Sequence, residues 1–144
     1  MTLKVIPDAV RNQTLRCLSA EDKVIDAARH MDAHDISAIM IVDEGGKLVG
    51  IVTERDITRK IVAAGLDANA VSVGDIMIAN PYVIAPTDTP QFALDLMRSR
   101  KCRHLPIIDG SELKGIVSMR DLRAVLARRS LKRKLNIGRL VGKH

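Results

Sequence analysis

Apolar residues occur along this chain in short runs that come in pairs. Residues 39–42 and 48–52 are almost entirely apolar, and the Glu-Gly-Gly-Lys segment between them carries the glycines of a tight turn. The arrangement returns at residues 105–108 and 113–117, which are separated by Asp-Gly-Ser-Glu. This pattern predicts two β-hairpins.

A helix and a short strand are predicted before each hairpin. Apolar residues recur there at helical spacing, at Val24, Ala27, Ala28 and Met31 in the first copy and at Ala93, Leu94 and Met97 in the second. Ser19, with Asp22 three residues later, is the expected N-cap of the first helix, and Asp88 or Thr89 before Pro90 that of the second. The strands are predicted at residues 15–18 and 82–85.

A second helix is predicted after each hairpin. The hydroxyls of Thr53 and Ser118 are natural N-caps, and the helices are expected to run to about Ala64 and Ala127. The order of elements is therefore strand, helix, strand, strand, helix, and it occurs twice.

The two halves also repeat each other residue by residue. Residues 48–56 align with residues 113–121 with six identical positions, and at an offset one residue larger Asp22 aligns with Asp88. One such unit has too small a sheet to be stable alone. We predict an α/β (α+β) fold of two pseudo-twofold-related β-α-β-β-α repeats packed sheet to sheet around a single core. The expected ranges are 1–67 for repeat 1, 68–129 for repeat 2 and 130–144 for a basic tail, with residues 65–69 as the link.

The net charge of +6 comes from that tail. Residues 128–144 hold seven Lys and Arg and no acid, whereas the rest of the chain holds 16 basic and 17 acidic residues. Tyr82 and Phe92 are the only aromatic side chains, so a base-stacking platform for nucleic acid is missing. No apolar run is long enough to span a bilayer, and residues 1–7 do not resemble a signal peptide. We expect no nucleic-acid partner, no membrane and a cytoplasmic location.

The segment Gly-Ile-Val-(Thr/Ser)-x-Arg-Asp is the strongest chemical signal, and it occurs at residues 50–56 and 115–121. Each copy places a hydroxyl at a helix start, beside backbone N–H groups that are expected to be free and to suit a phosphate. Asp56 and Asp121 follow three residues after the hydroxyls, where a carboxylate suits a ribose diol. A single copy is more typical of an ordinary capping box, but two matching copies favour a nucleotide site.

With these motifs the chain resembles the CBS-domain family over residues 5–128. The resemblance also includes Val-Gly-Asp-Ile-Met at residues 73–77 and Arg-His-Leu-Pro-Ile-Ile-Asp at residues 103–109. It implies a non-catalytic regulatory module that binds an adenine nucleotide (AMP, ADP, ATP, S-adenosylmethionine or NAD(H)) and forms a homodimer, with a regulated protein as a further partner. It implies that the motif aspartates hold the ribose and that Thr53 and Ser118 lie near the phosphate.

The resemblance further implies phosphate contacts from Arg103 and His104, which would otherwise be a solvated strand start. The first repeat has Ser37 and Ala38 at these positions and Met40 in place of Pro106, so the two clefts are expected to differ. Other cations on the helices after the motifs either add phosphate contacts or form solvated helix faces: Arg55, Arg59, Lys60 and Arg120. Adenine is expected near Leu15 and Ile36 in one half and near Val83 and Cys102 in the other, with Tyr82 either touching a base or packing on an edge strand.

No catalytic or metal site is predicted. Cys17 and Cys102 are expected to be buried reduced thiols without a ligand partner nearby. His30 and His34 have the spacing of a zinc-binding pair but lack the adjacent Glu of a metalloprotease, so both are expected to be exposed. We found no nucleophile paired with a base.

The basic tail leaves alternatives open. Leu131 and Leu135, and further along Ile137, continue a helical spacing beyond the second repeat. This segment is either a frayed solvated end, a contact with a second subunit, a contact with nucleic-acid phosphates or a contact with an anionic membrane. A module that interacts with nucleic acid or protein through the tail is therefore the alternative function. A small nucleotide hydrolase is a third and weaker one.

Overall fold

The repeated hairpins organise the structure, a computed structural model that describes residues 2–141 and the side chains of residues 2–136. The first half contains β1 (Cys17–Leu18), α1 (Val24–His34), β2 (Ala38–Val42), β3 (Leu48–Thr53) and α2 (Glu54–Ile57), which a π-helical turn (Thr58–Val62) extends. The second half contains α3 (Val73–Ile76), β4 (Ile78–Ala79), α4 (Pro90–Arg100), β5 (His104–Asp109), β6 (Glu112–Ser118) and α5 (Met119–Val141).

Both predicted hairpins are confirmed. Strands β2 and β3 are antiparallel, with Met40 opposite Ile51, and β5 and β6 are antiparallel, with Pro106 opposite Ile116. The mixed α/β fold class is confirmed as well. One sheet has four strands in the order β1-β2-β3-β4, and the other has the two strands β5-β6.

The strands before the first helices are shorter than predicted. The first is reduced to Cys17–Leu18, and the second to a single parallel bridge between Ile84 and Ile107. In the second repeat the backbone N–H of Ala85 donates to the Asp88 carboxylate at 2.8 Å, and Pro86 has no N–H. Ala85 and Pro86 therefore cannot extend the pairing that Ile84 makes with Ile107.

The predicted N-cap Ser19 is also wrong. Helix α1 begins at Val24 with Lys23 in the cap position. Asp22 instead accepts a hydrogen bond from the backbone N–H of Ser19 at 2.9 Å, which closes a turn before the helix. In the second repeat Thr89 is the N-cap, and its hydroxyl accepts from the Phe92 N–H, so that prediction is confirmed.

The buried apolar residues form two clusters and not the single shared core that was expected. Each repeat surrounds one cluster, and each borrows a segment from the other half. Val5 and Val10 pack into the cluster of the second repeat, and the backbone N–H of Val5 donates to the backbone carbonyl of Asp88 at 2.8 Å. Conversely, Val73 and Ile76 pack into the cluster of the first repeat, where β4 joins the sheet. The two halves are therefore interlocked by exchanged segments.

Candidate functional site

The second motif lies where β6 passes into α5. The Asp121 carboxylate accepts the Ser118 N–H through Oδ2 at 2.9 Å, and the Ser118 hydroxyl accepts the Asp121 N–H at 3.0 Å. This is a capping box. Asp121 and Ser118 nevertheless both line a cavity, and among the described residues no hydrogen bond engages the second carboxylate oxygen of Asp121. One oxygen therefore fixes the helix start while the other remains able to accept a ligand proton.

The first motif has the same box but a more enclosed aspartate. Asp56 accepts the N–H and the hydroxyl of Thr53, both at 3.0 Å. The side chain of Lys60 lies with Nζ 3.5 Å from Asp56 Oδ1 and donates to the Ile76 carbonyl at 2.7 Å. Only 9% of Asp56 is exposed. Both carboxylate oxygens of this residue thus have partners within the protein.

The amides at the two helix starts are largely engaged. Met119 N–H donates to the Arg103 carbonyl at 2.8 Å, and Asp121 N–H donates to Ser118. The first repeat has the matching bonds, from Glu54 N to Ser37 O at 3.0 Å and from Asp56 N to Thr53 Oγ1 at 3.2 Å. The expectation of free N–H groups is therefore wrong for these four amides. A phosphate near Ser118 would depend on side-chain cations instead.

A cavity of about 500 Å³ crosses the boundary between the repeats. Its second-repeat wall is His104, Ile116 and the Ser118–Asp121 turn, and its first-repeat wall is the entry to β2. The complete lining is Gln13, Thr14, Arg16, Asp35, Ile36, Ser37, Ala38, Met40, His104, Ile116, Ser118, Arg120 and Asp121. Apart from Ala38 and His104, which align with each other, the cavity joins positions that are not equivalent in the two repeats.

A second cavity of about 430 Å³ adjoins the first. It shares the lining residues Ser37, His104, Ser118 and Arg120 with its neighbour and adds Arg103, Met119 and Arg123. Its lining contains three guanidinium groups and no carboxylate. Arginine recognises phosphate through paired N–H donors. The two cavities together therefore place an acceptor carboxylate beside a strongly cationic compartment.

Ser37 and His104 connect the two repeats at the junction of these cavities. The Ser37 hydroxyl lies 2.9 Å from His104 Nε2. Burial lowers the pKa of His104 below its ordinary value, Asp121 opposes that shift, and Arg103 adds to it. Burial therefore favours the neutral form of the ring. Within residues 2–136 no hydrogen bond orients its other ring nitrogen, so the pair lacks the third group of a catalytic triad.

Gln13 is a site residue that sequence reasoning missed. Its side-chain Nε2 donates to the Ile116 carbonyl at 3.0 Å, and the Ile116 N–H donates to its Oε1 at 2.8 Å. A carboxamide thus pairs with both backbone groups of one residue on the free edge of β6. Thr14 and Arg16 were missed as well. These residues precede β1 without a motif, so only the three-dimensional structure brings them to the cavity.

The family model for the CBS domain matches residues 8–63 and again residues 73–128. The chain belongs to the CBS-domain family. A relative in Arabidopsis thaliana, the mitochondrial CBS domain-containing protein CBSX3, is 36% identical over 113 residues, which are 75% of this chain and 55% of the relative. This chain therefore spans about half the length of that protein.

Two solved structures of CBS proteins are similar to this chain in fold and in sequence. A putative signal-transduction protein with CBS domains from Burkholderia ambifaria is 32% identical with a TM-score of 0.78, covering 85% of this chain and 93% of that one. The hexameric CBS-CP12 protein from bloom-forming cyanobacteria is 27% identical with a TM-score of 0.77, covering 85% of this chain and 67% of that one.

The CBS motifs place only part of the predicted site in the cavities. Eight predicted residues line them: Ile36, Ser37, Ala38, Arg103, His104, Ser118, Arg120 and Asp121. Seven predicted residues line neither: Thr53, Arg55, Asp56, Tyr82, Val83, Cys102 and Pro106. Arg100 lies 4.8 Å above the Tyr82 ring, and Val83 is 42% exposed. The structure thus gathers the second motif of the CBS pair and leaves the first apart from it.

The remaining predictions concern the cysteines, the histidine pair and the tail. Cys17 and Cys102, expected to be buried reduced thiols, are free cysteines of intermediate burial, and burial raises the pKa of each thiol. His30 and His34 are exposed as predicted, and His34 Nε2 lies 3.1 Å from an Arg16 guanidinium nitrogen. No group of three metal-ligating side chains occurs among the described residues.

The tail continues α5 as one helix to Val141, past the end predicted near Ala127 and in line with the extension that the spacing of Leu131 and Leu135 allowed. Leu131 and Leu135 are 60% and 58% exposed. The side chain of Ile137 and residues 142–144 lie outside the described part. No helix of the described chain is long and apolar enough to cross a membrane.

Proposed function

We propose that this CBS pair is a non-catalytic regulatory module that binds an adenine nucleotide, such as AMP, ATP or NAD(H), between its repeats. The observation that carries the proposal is the Asp121 carboxylate, which borders a cavity of about 500 Å³ next to a compartment lined by Arg103, Arg120 and Arg123. Ligand sites commonly occupy about 300–1,000 Å³, so the space suits a nucleoside. Membership of the CBS family supports the adenine assignment.

The proposed pose follows from the charges. The ribose hydroxyls donate to the free oxygen of Asp121, because its other oxygen is held by the Ser118 N–H. The phosphates lie among the arginines of the second cavity, which carries no opposing carboxylate. His104 stands between the two regions and can donate to a phosphate when it is protonated. The base then extends along the first cavity towards Ile116 and Gln13.

The proposal includes one nucleotide per chain. Asp56 is the counterpart of Asp121, but it is 9% exposed and has Lys60 beside its second oxygen. A ribose at that position would have to displace a cation from a buried carboxylate, which is costly. The cleft of the first motif is therefore proposed to be structural.

The proposal also includes a homodimer that passes the ligand signal to a protein partner. The hexameric state of the cyanobacterial relative supports self-association. The exposed apolar side chains of Phe92, Leu131 and Leu135 support it as well. Light scattering after size-exclusion chromatography tests it, since a monomeric mass at micromolar concentration would contradict the dimer.

Isothermal titration calorimetry with AMP, ATP and NADH tests the nucleotide proposal. We expect saturable binding of at least one of them with a stoichiometry near one per chain. The absence of heat and of thermal stabilisation with all three would reject the proposal. Incubation of the purified protein with ATP, followed by chromatography of the products, tests the non-catalytic assignment, because turnover would contradict it.

A further inference from the structure

The free edge of β6 is occupied by a side chain where a strand would ordinarily pair. Ile116 is opposite Pro106 in the hairpin, and its own N–H and carbonyl point away from that partner towards Gln13. This orientation explains why a proline is tolerated opposite, since Pro106 need not donate to Ile116. Gly115 is next to the contact, and a Cβ there would lie 2.6 Å from Gln13 Oε1. The chain thus leaves room for the carboxamide to approach.

The equivalent edge in the first repeat is closed in a different way. Ile51 corresponds to Ile116 in the repeat alignment, and it is paired with Ile78 of β4. Strand β4 cannot leave the edge of β3 without loss of the hydrogen bonds between the two strands. Gln13 holds the edge in the second repeat with one exposed side chain, and rotation of that side chain would free both backbone groups of Ile116.

Adenine can take the place of the carboxamide. Its ring nitrogen acceptor stands beside the N6 amino donor, which is the same acceptor–donor pair that Gln13 presents to Ile116. Both Gln13 and Ile116 line the cavity that contains Asp121. A nucleotide whose ribose reaches Asp121 therefore has a backbone donor and acceptor within the same cavity for its base.

We infer that the backbone N–H and carbonyl of Ile116 are the base-recognition edge of the site, and that Gln13 is an internal occupant which the adenine ring displaces. This inference rests on the proposed nucleotide function and deepens it. Gln13 then weakens binding, because the ligand must break two hydrogen bonds before it forms its own. Removal of the carboxamide should therefore tighten binding, which is the opposite of the usual effect of deleting a cavity residue.

The test is the affinity of Gln13→Ala for the nucleotide that the wild-type protein binds. We expect the dissociation constant to fall about fivefold, since a net hydrogen-bond contribution no longer opposes binding. Gln13→Leu keeps the side-chain volume without the paired groups and should behave like Gln13→Ala. Gln91→Ala is the matched control, because Gln91 is exposed on α4 and bonds only to Asp95 within the described chain. It should leave affinity unchanged.

A second measurement reports the displacement directly. The chain contains two glutamines, so the side-chain NH₂ signals of Gln13 and Gln91 can be separated by comparison with the variants. On saturation with nucleotide, the Gln13 signal should shift to the position of a solvated carboxamide, and the Gln91 signal should stay in place. A variant that does not fold is recognised by its spectrum. The shift of the Gln13 signal in the wild-type protein then still tests whether the nucleotide displaces the carboxamide.

The outcomes separate the two proposals. If neither the wild-type protein nor any Gln13 variant binds an adenine nucleotide, the proposed function fails. If the wild-type protein binds and Gln13→Ala binds equally or more weakly, the displacement is overturned. The weaker case would mean that Gln13 itself reads the base, and an unshifted Gln13 signal in the saturated complex would likewise overturn the displacement.

Discussion

Ser37 of the first repeat and His104 of the second are joined across the molecule, with 2.9 Å between the hydroxyl oxygen and Nε2. They lie one position apart in register, since Ser37 aligns with Arg103 and Ala38 with His104. The contact therefore breaks the pseudo-twofold symmetry at the point where the two cavities meet. A histidine whose pKa is lowered by burial therefore lies between the Asp121 carboxylate and the arginines of the second cavity.

Stability should depend on pH through His104. Burial lowers its pKa below 6.5, so the unfolded chain takes up a proton before the folded chain does. The contribution of the neutral ring is complete above the unfolded value of 6.5 and is lost as pH falls from there through the folded pKa. Urea unfolding of the wild type and of His104→Gln at about pH 7.5 and about pH 5.5 should show a smaller acid-induced loss in the variant.

The control for that comparison is His30→Gln, an exposed histidine away from the cavities. A bound phosphate would also favour the charged ring, so nucleotide affinity should increase as pH is lowered through this range, and less so in His104→Gln. Identical acid sensitivity in the wild type and in His104→Gln would remove His104 from both effects.

The two motif aspartates should behave differently when each is changed to asparagine. Asp121→Asn removes the charge that is proposed to accept the ribose hydroxyls, and a hydrogen bond to a charged group contributes about 1.5–3 kcal/mol, so affinity should fall at least about tenfold. Asp56→Asn should leave affinity within about twofold but lower the denaturant midpoint, because Lys60 loses its buried partner.

Calorimetry measures the affinity of both variants and urea unfolding measures their stability. We expect the main loss to be in affinity for Asp121→Asn and in stability for Asp56→Asn. Loss of affinity in Asp56→Asn together with a stoichiometry near two per chain would show that the first motif also binds, contrary to the single-site proposal.

The arginines of the second cavity should discriminate between ligands by the number of phosphates. Arg123→Ala is expected to weaken ATP binding by about tenfold and AMP binding by less, because AMP has only one phosphate to contact the arginines whereas ATP has three. Arg98→Ala, on the outer surface of α4, is the matched control. Titrations of both nucleotides at constant ionic strength provide the measurement, and equal losses for AMP and ATP would contradict the assignment of this cavity to the outer phosphates.

Gly50 should be intolerant of a side chain for a structural reason. A Cβ there would collide with the Met77 sulfur and would lie 3.1 Å from the Ile78 carbonyl of the neighbouring strand β4. Gly50→Ala is expected to destabilise the fold by about 1–3 kcal/mol without a change in nucleotide affinity. Gly45→Ala is the control, since a Cβ there would meet its nearest neighbour at 3.4 Å. Thermal unfolding checks the difference, and equal midpoints would contradict it.

The hairpins were predictable because apolar runs of fixed length around glycine-rich turns have few other structures available. The two motifs were predictable because each requires the same residue types at the same spacing. The shortened second strand was not, since the decisive contact is the side chain of Asp88 accepting the Ala85 N–H. The two separate cores were missed because the exchange of Val5 and Val73 between repeats leaves no local trace.

Of the candidate site, only the part that belongs to the second motif could be predicted from the sequence. Ser118 and Asp121 belong to a motif and were found, whereas Gln13 acts through the backbone of a residue 103 positions away. The difference between Asp56 and Asp121 was also invisible, because Lys60 was one of several helix cations with no distinguishing pattern. In these cases the sequence shows the residue types, and only the packing shows which of them meet.

Helix α5 begins at the turn that holds Ser118 and Asp121 and continues without a break to Val141. At 1.5 Å per residue its 23 residues form a rod about 35 Å long. A tilt of about 5° at the first turn therefore moves the far end by about 3 Å. A small rotation at the cavity, if a ligand caused one, would thus become a displacement several times larger at the far end of α5, in proportion to the length of the helix.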